Sequence, residues 1–152
     1  ELPADIVVTA TGLSLKLVGG IQVYIDDSLV DLKQQMMYKG VMVSNVPNCA
    51  VSIGYTNQTW TLKCDLTFEY VCKMLTYMEE NDYHVVTAMK SLDDNEPSQP
   101  VFDLSSSYVQ RALKDMPTQG KHAPWKYNQN YLADIMALRY GSMLSDGVLD
   151  FH

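Results

Sequence analysis

The spacing of apolar residues divides this chain into a β-rich first third and a helical remainder. Asp5-Ile-Val-Val-Thr-Ala-Thr-Gly12 is an unbroken, largely β-branched run closed by glycine. Such a run reads as a strand buried on both faces, as in a parallel α/β sheet. Gly19-Gly20 breaks the chain. Residues 22–25 and 28–32 then flank Asp26-Asp27 with enough alternation for a small hairpin. Two further strand-like runs, 40–43 and 49–53, are separated by Ser44-Asn-Val-Pro-Asn48. That linker is turn chemistry: proline pre-sets φ, and asparagine tolerates a left-handed backbone.

Helical spacing begins near Thr61 and runs to Glu80, with Leu62, Leu66, Phe68, Val71, Leu75 and Met78 recurring every three or four residues. Thr59 or Thr61 is the candidate cap, and Glu69 with Lys73 forms a favourable i,i+4 pair. A polar, proline-bounded loop over 93–100 follows. A second helix is expected to start at 105–107 and stop before Pro117. A third is expected over 128–140, with Tyr131, Ile135 and Leu138 on one face and Gly141 at its end. Strands, one long helix, a loop and two more helices predict an α+β chain with a small sheet and about three helices. Read as part of something larger, the same order is the tail of an α/β domain. The chain opens on Glu1-Leu2-Pro3 rather than Met, with the strand-like run close behind, so a piece of a longer protein is expected.

Composition narrows the function classes. The 152 residues are 47% hydrophobic and 19% charged, an ordinary globular balance that excludes wholesale disorder. A net charge of −7 argues against gripping a nucleic-acid backbone. Cys49, Cys64 and Cys72 show no CxxC spacing and read as reduced thiols of a cytoplasmic protein. His84, His122 and His152 lie far apart and join no cysteine pair, so no metal site is expected. No apolar run is long enough for a transmembrane segment, and no secretory signal is visible.

Candidate chemistry concentrates in the run from Ile53 to Lys63, where a strand ends at Gly54, a polar loop follows and the long helix starts. A helix start presents free N–H groups and a positive dipole end, a natural seat for a phosphate or an anionic ring system. GxGxxG, GxxxxGK[ST], GxSxG and HExxH are all absent. Asp93, Asp94 and Glu96 lack calcium-site spacing and read as a solvated loop. His122, beside Pro124-Trp125, reads as a surface-loop residue. No residue stands out as nucleophile or general base.

Taken in order, several segments resemble the C-terminal portion of class B flavoprotein monooxygenases, the Baeyer–Villiger and flavin-containing monooxygenase group. The nearest likeness is to the ethionamide-activating branch. The segments are Asp5 to Leu13, Met37-Tyr-Lys-Gly40, Val46-Pro-Asn48, Gly54-Tyr-Thr-Asn57, Trp60-Thr-Leu-Lys63 with Asp65-Leu66, and Glu69-Tyr-Val-Cys72. Tyr108 to Ala112, Pro117-Thr-Gln-Gly120, Pro124-Trp125 and Asn128 to Leu132 complete the series. The Ala-Thr-Gly motif is common among flavoproteins; the Gly-Tyr-Thr-Asn…Trp-Thr-Leu-Lys run is far more specific.

The resemblance implies tightly bound FAD, reduction by NADPH, and transfer of one oxygen atom from a flavin C4a-(hydro)peroxide to ketones or to sulfur and nitrogen compounds. It places Ala10, Thr11 and Gly12 where the FAD and NADPH domains join, and Gly54, Thr56, Asn57, Trp60 and Thr61 in the loop at the flavin's pyrimidine end. Residues 1–80 then end the domain junction and supply an FAD-binding strand–loop–helix, and residues 81–152 are a helical extension. The family's glycine fingerprints and catalytic arginine have no counterpart here. No catalytic residue is therefore assigned, and the rest of the enzyme and a small-molecule substrate are the implied partners. Unpaired strand edges in such a piece would favour self-association. The alternative reading is an independent, non-catalytic α+β module that binds a small ligand or a partner protein.

Overall fold

The computed structural model describes residues 2–91 and 95–152, so Asp93 and Asp94 of the acidic loop lie outside the described residues. Its strands are short: β1 (Tyr24–Ile25), β2 (Ser28–Leu29), β3 (Met37–Tyr38) and β4 (Met42–Val43) precede α1 (Trp60–Glu80). After it come β5 (Val86–Ala88), β6 (Ser98–Pro100), α2 (Ser107–Leu113), β7 (Thr118–Gly120), α3 (Tyr131–Asp134), a π-helical stretch (Ile135–Tyr140) and β8 (Leu149–Phe151). Among the described residues the arrangement is α+β with three α-helices, as expected, but the single small sheet is replaced by four separate antiparallel pairs: β1–β2, β3–β4, β5–β8 and β6–β7. The stretch 98–100, read from sequence as loop, is a strand because it finds Thr118–Gly120 to pair with.

The hairpin around Asp26-Asp27 forms as expected. Both aspartates adopt left-handed φ (47° and 64°), which matches the twist of a two-residue hairpin turn. The β3–β4 hairpin turns in a similar way, with Lys39 at φ 51°, Gly40 at φ 67°, and Val41 N–H donating back to the Tyr38 carbonyl. A Cβ on Gly40 would sit 2.3 Å from the Tyr127 ring, so only glycine fits there. Asn45 and Asn48 are both left-handed (φ 56° and 52°), and their side chains accept from Lys90 N–H and Val86 N–H. The 44–48 turn thereby docks on β5. The expected strand over 49–53 contributes only a bridge from Ala50 to Met42.

Period-two alternation in β3 and β4 splits the interior in two. Tyr38 and Met42 face one way, into a cluster with Leu66, Tyr70, Met74, Met78, Val86, Ala88, Trp125 and Leu138. Met37 and Val43 face the other way, towards Val46, Ile53, Val101, Ala112, Met116 and Tyr127. The hairpin is thus a partition wall buried on both sides. Both clusters draw residues from either side of residue 80.

Three expectations are corrected. The run Ile6-Val7-Val8 forms no strand among the described residues; Ile6 is 82% exposed and its neighbours are similarly open. A doubly buried strand needs a neighbour on each edge, and none of the described segments reaches it. Along α1, the buried face is Lys63, Leu66, Thr67, Tyr70, Met74 and Met78, whereas Phe68 and Leu75 are 55% and 58% exposed. The expected Glu69–Lys73 pair is replaced by partners across the interface with the helical segment 131–140. Glu69 takes the Arg139 guanidinium bidentately (2.7 Å twice), and Lys73 Nζ donates to the Arg139 carbonyl. Gly141 ends that segment with φ −68° rather than left-handed; a Cβ there would lie 2.5 Å from the Ala137 carbonyl oxygen.

The buried face of α1 gives a paired test. Leu66→Ala should cost about 3 kcal/mol, the transfer and cavity terms of a fully buried leucine. Thr67→Val should instead stabilise by about 1 kcal/mol, because the Thr67 hydroxyl is buried without a hydrogen-bond partner. Urea denaturation of the two variants reads both signs, and a destabilised Thr67→Val would show that the hydroxyl has a partner.

Candidate functional site

The loop over 54–59 is held from below. Tyr55 is buried and donates from its hydroxyl to Asp134 Oδ2 at 2.6 Å. Lys63, one turn into α1 and 0% exposed, donates to the same oxygen at 2.9 Å and to the Lys39 carbonyl at 3.2 Å. Burial pushes the Lys63 ammonium below the usual lysine range, and the Asp134 carboxylate works against that shift. Burial, and then the bond to Asp134, push the Tyr55 phenol upward. The Tyr127 hydroxyl donates to the Gly54 carbonyl at 2.6 Å, and burial raises its phenol as well.

A second clamp is Gln129. Its side-chain oxygen accepts from both Thr56 N–H (2.9 Å) and Thr56 Oγ1 (3.0 Å), and its carbonyl accepts from Asn57 Nδ2 (3.0 Å). The polar groups of Thr56 and Asn57 are therefore spent on fastening the loop. Gly54 lies against the Trp60 ring, where a Cβ would come within 2.2 Å. Thr59 occupies the cap position without a side-chain cap bond, so the expected side-chain cap does not form. Leu62 N–H folds back to the Thr59 carbonyl at 3.2 Å. Among the described residues, the N–H groups of Trp60 and Thr61 find no acceptor, as expected of the first turn of a helix.

Thr56 and Trp60 line a mostly apolar cavity of about 310 Å³, walled further by Leu13, Phe102, Leu104 and Tyr108. Gly12 does not itself line this cavity; it precedes Leu13, which does. Its φ is +83°, and a Cβ on it would meet only Tyr108 Cβ, at 4.0 Å. The structure therefore puts Thr56 and Trp60 of the sequence-predicted loop on one cavity wall with Leu13 and Tyr108, the two residues beside Gly12, although more than forty positions separate Leu13 from Thr56. Ala10 and Thr11 are exposed, outside any regular element, and Thr61 is exposed on the first turn of α1.

Lys63, Tyr55, Gln129 and Tyr108 lie within the segments that carry the resemblance but are not marked there as site residues, and Asp134 lies outside all of them. One signal was available: Lys63 lies on the same helical stripe as Leu66, Tyr70 and Met74. A lysine on a core stripe demands a buried counter-charge. Nothing in sequence points to Asp134, seventy-one residues away, as that partner.

Truncating either member of this pair should be costly. Asp134→Ala leaves the Lys63 ammonium buried and uncompensated, at a cost of about 3–5 kcal/mol. The double replacement Lys63→Met with Asp134→Leu should recover most of that loss. Equilibrium unfolding of the single and double variants decides it, and additive losses would mean the two side chains do not interact.

No family model and no solved structure matches the chain. Curated relatives do. The chain is 46% identical over 148 residues to the FAD-containing monooxygenase EthA of Mycobacterium tuberculosis, a match covering 97% of this chain and 30% of EthA. It is 47% identical over 151 residues to AlmA of Acinetobacter baylyi, described as a probable FAD-binding monooxygenase, covering 99% of this chain and 30% of AlmA. EthA of Mycolicibacterium smegmatis is 43% identical over 140 residues, 92% of this chain and 28% of that protein. The chain spans about 30% of the length of the curated relatives it matches, and over nearly its whole length it is similar to that part of FAD-containing monooxygenases.

Proposed function

We propose that this chain is the C-terminal part of an FAD- and NADPH-dependent monooxygenase and that its own contribution is one wall of the flavin site. The observation that carries the reading is that Leu13, next to Gly12, and the Thr56–Trp60 loop line one apolar cavity of about 310 Å³. The residues there fit a flavin. Apolar and aromatic side chains from Leu13, Phe102 and Tyr108 suit the faces of a flat ring system. The unpaired N–H groups at the start of α1 suit an anionic ring edge.

When bound, FAD reduced by NADPH activates O2, so that one oxygen atom passes to a ketone or to a sulfur or nitrogen compound. The chain's own residues bind, orient and shield. Gly12 lets the backbone approach closely, with no side chain in the way. Trp60 and Thr61 present N–H donors fixed by the helix, so no reorganisation is needed as charge develops on the ring. Leu13, Phe102 and Leu104 give the cavity an apolar lining. Tyr55, Lys63 and Gln129 hold the loop in register with the helix start. The domain junction and the FAD-binding strand–loop–helix then fall within residues 1–80, with residues 81–152 packed against them.

Two outcomes are expected. In the intact enzyme, Thr61→Pro removes one N–H donor and should slow flavin reduction by about tenfold or lower flavin retention, as Trp60→Ala should by opening the cavity. Bound-flavin absorbance and stopped-flow reduction by NADPH measure both, and wild-type values in both variants would place the flavin elsewhere. The 152-residue chain by itself, given FAD, should consume no NADPH above a free-flavin blank, because it carries no GxGxxG motif.

A further inference from the structure

A second recess, of about 280 Å³, opens where the β3–β4 turn, the stretch 123–128 and the end of the 131–140 helical segment meet. It holds two carboxylates, and both are already neutralised. Asp134 is paired with Lys63 at 2.9 Å, and Asp146 is paired with Lys39 at 2.9 Å. The Tyr38 hydroxyl also donates to Asp146 Oδ2, at 3.0 Å. What remains on the wall is a set of unused donors. Among the described residues, Lys126 makes no ion pair, and neither the Asn128 carboxamide nor the Ser142 hydroxyl makes a side-chain hydrogen bond. The net character of the recess is therefore one free positive charge with neutral donors beside it.

The frame of the recess is built at a conformational cost. Lys39 is held left-handed at φ 51°, its N–H given to the Pro124 carbonyl (2.8 Å) and its carbonyl taken by Lys63. For a residue with a Cβ, such a backbone persists only where its surroundings over-determine it. The opposite wall, Ala137 and Leu138, belongs to the π-helical stretch, whose wider turn is uncommon and recurs at functional sites. Pro124 and Ala137 add an apolar surface next to the donors.

We propose that this recess binds a small organic carboxylate, its anionic end on Lys126, Asn128 and Ser142 and its compact apolar body against Pro124 and Ala137. A charge-assisted contact to one lysine and two neutral donors suits a monoanion, and the volume suits a body no larger than a single ring. The assignment rests on this recess alone and stands whether or not the flavin site is as proposed above.

The probe is para-fluorobenzoate, titrated into the intact protein and followed by fluorine NMR. Saturable binding is expected. Lys126→Glu should weaken it by about tenfold, the worth of one charge-assisted hydrogen bond, and Asn128→Asp should act in the same direction. Lys121→Glu, at an exposed lysine outside the recess, should leave the affinity unchanged. para-Fluorobenzylamine, the same body with the opposite charge, should not bind. Absence of saturable binding, equal affinity for the amine, or an unchanged affinity in Lys126→Glu would each overturn the proposal. Lys126 is exposed and pairs with nothing, so its replacement tests binding rather than folding.

Discussion

The buried ion pair between Lys63 and Asp134 is the contact on which the arrangement around it depends. Four segments meet there: α1 through Lys63, α3 through Asp134, the 54–59 loop through Tyr55, and the β3–β4 turn through the Lys39 carbonyl. Taking an ammonium and a carboxylate out of water is expensive, and their attraction offsets that cost only with close geometry and further hydrogen bonds. Both conditions hold: Asp134 Oδ2 accepts from an ammonium and a phenol, and Lys63 reaches a backbone carbonyl as well. A pair of this kind adds little net stability over an apolar core. What it supplies is register, because a shift of any one segment would leave a buried charge alone.

The same contact lies next to residues of two recesses. Tyr55, bonded to Asp134, sits between Gly54, which meets the Trp60 ring, and Thr56, which lines the larger apolar cavity. Asp134 itself lines the smaller, donor-rich recess on its other side. A carboxylate neutralised by Lys63 can face that recess without repelling an anion, which is why the pairing matters to both spaces. The Gln129 clamp on Thr56 and Asn57 then fixes the loop from the chain segment that also carries Asn128.

Exposed apolar residues mark where the chain's own core ends. Ile6, Val7 and Val8 face solvent, as do Phe68 and Leu75 on α1 and Leu132, Met136 and Tyr140 at four-residue spacing on the last helical segment. A continuous β-branched run and two apolar helix stripes are patterns that fold against something. The chain's span of about 30% of its relatives' length is in keeping with such surfaces being covered in a larger protein.

Local chemistry was legible from sequence wherever it acts within a few residues. Aspartates at 26–27 turn a hairpin, asparagines at 45 and 48 turn left-handed, and α1 runs from Trp60 to Glu80 because these outcomes follow from propensity and spacing. The face of α1 was not legible. Its apolar residues occur on more than one side, so periodicity allowed Phe68 and Leu75 as well as Tyr70 and Met74, and only the position of β3, β5 and Trp125 decided which were buried. The strand at 98–100 needed Thr118–Gly120 to exist, and the run at 6–8 lacked any partner, since a ladder's hydrogen bonds always lie with another segment. For the site, sequence alone marked Gly12 and the 54–61 loop. The meeting of Leu13, next to Gly12, with that loop at one cavity spans more than forty residues, and the Lys63–Asp134 pair that holds the loop in place spans seventy-one; no local pattern encodes either.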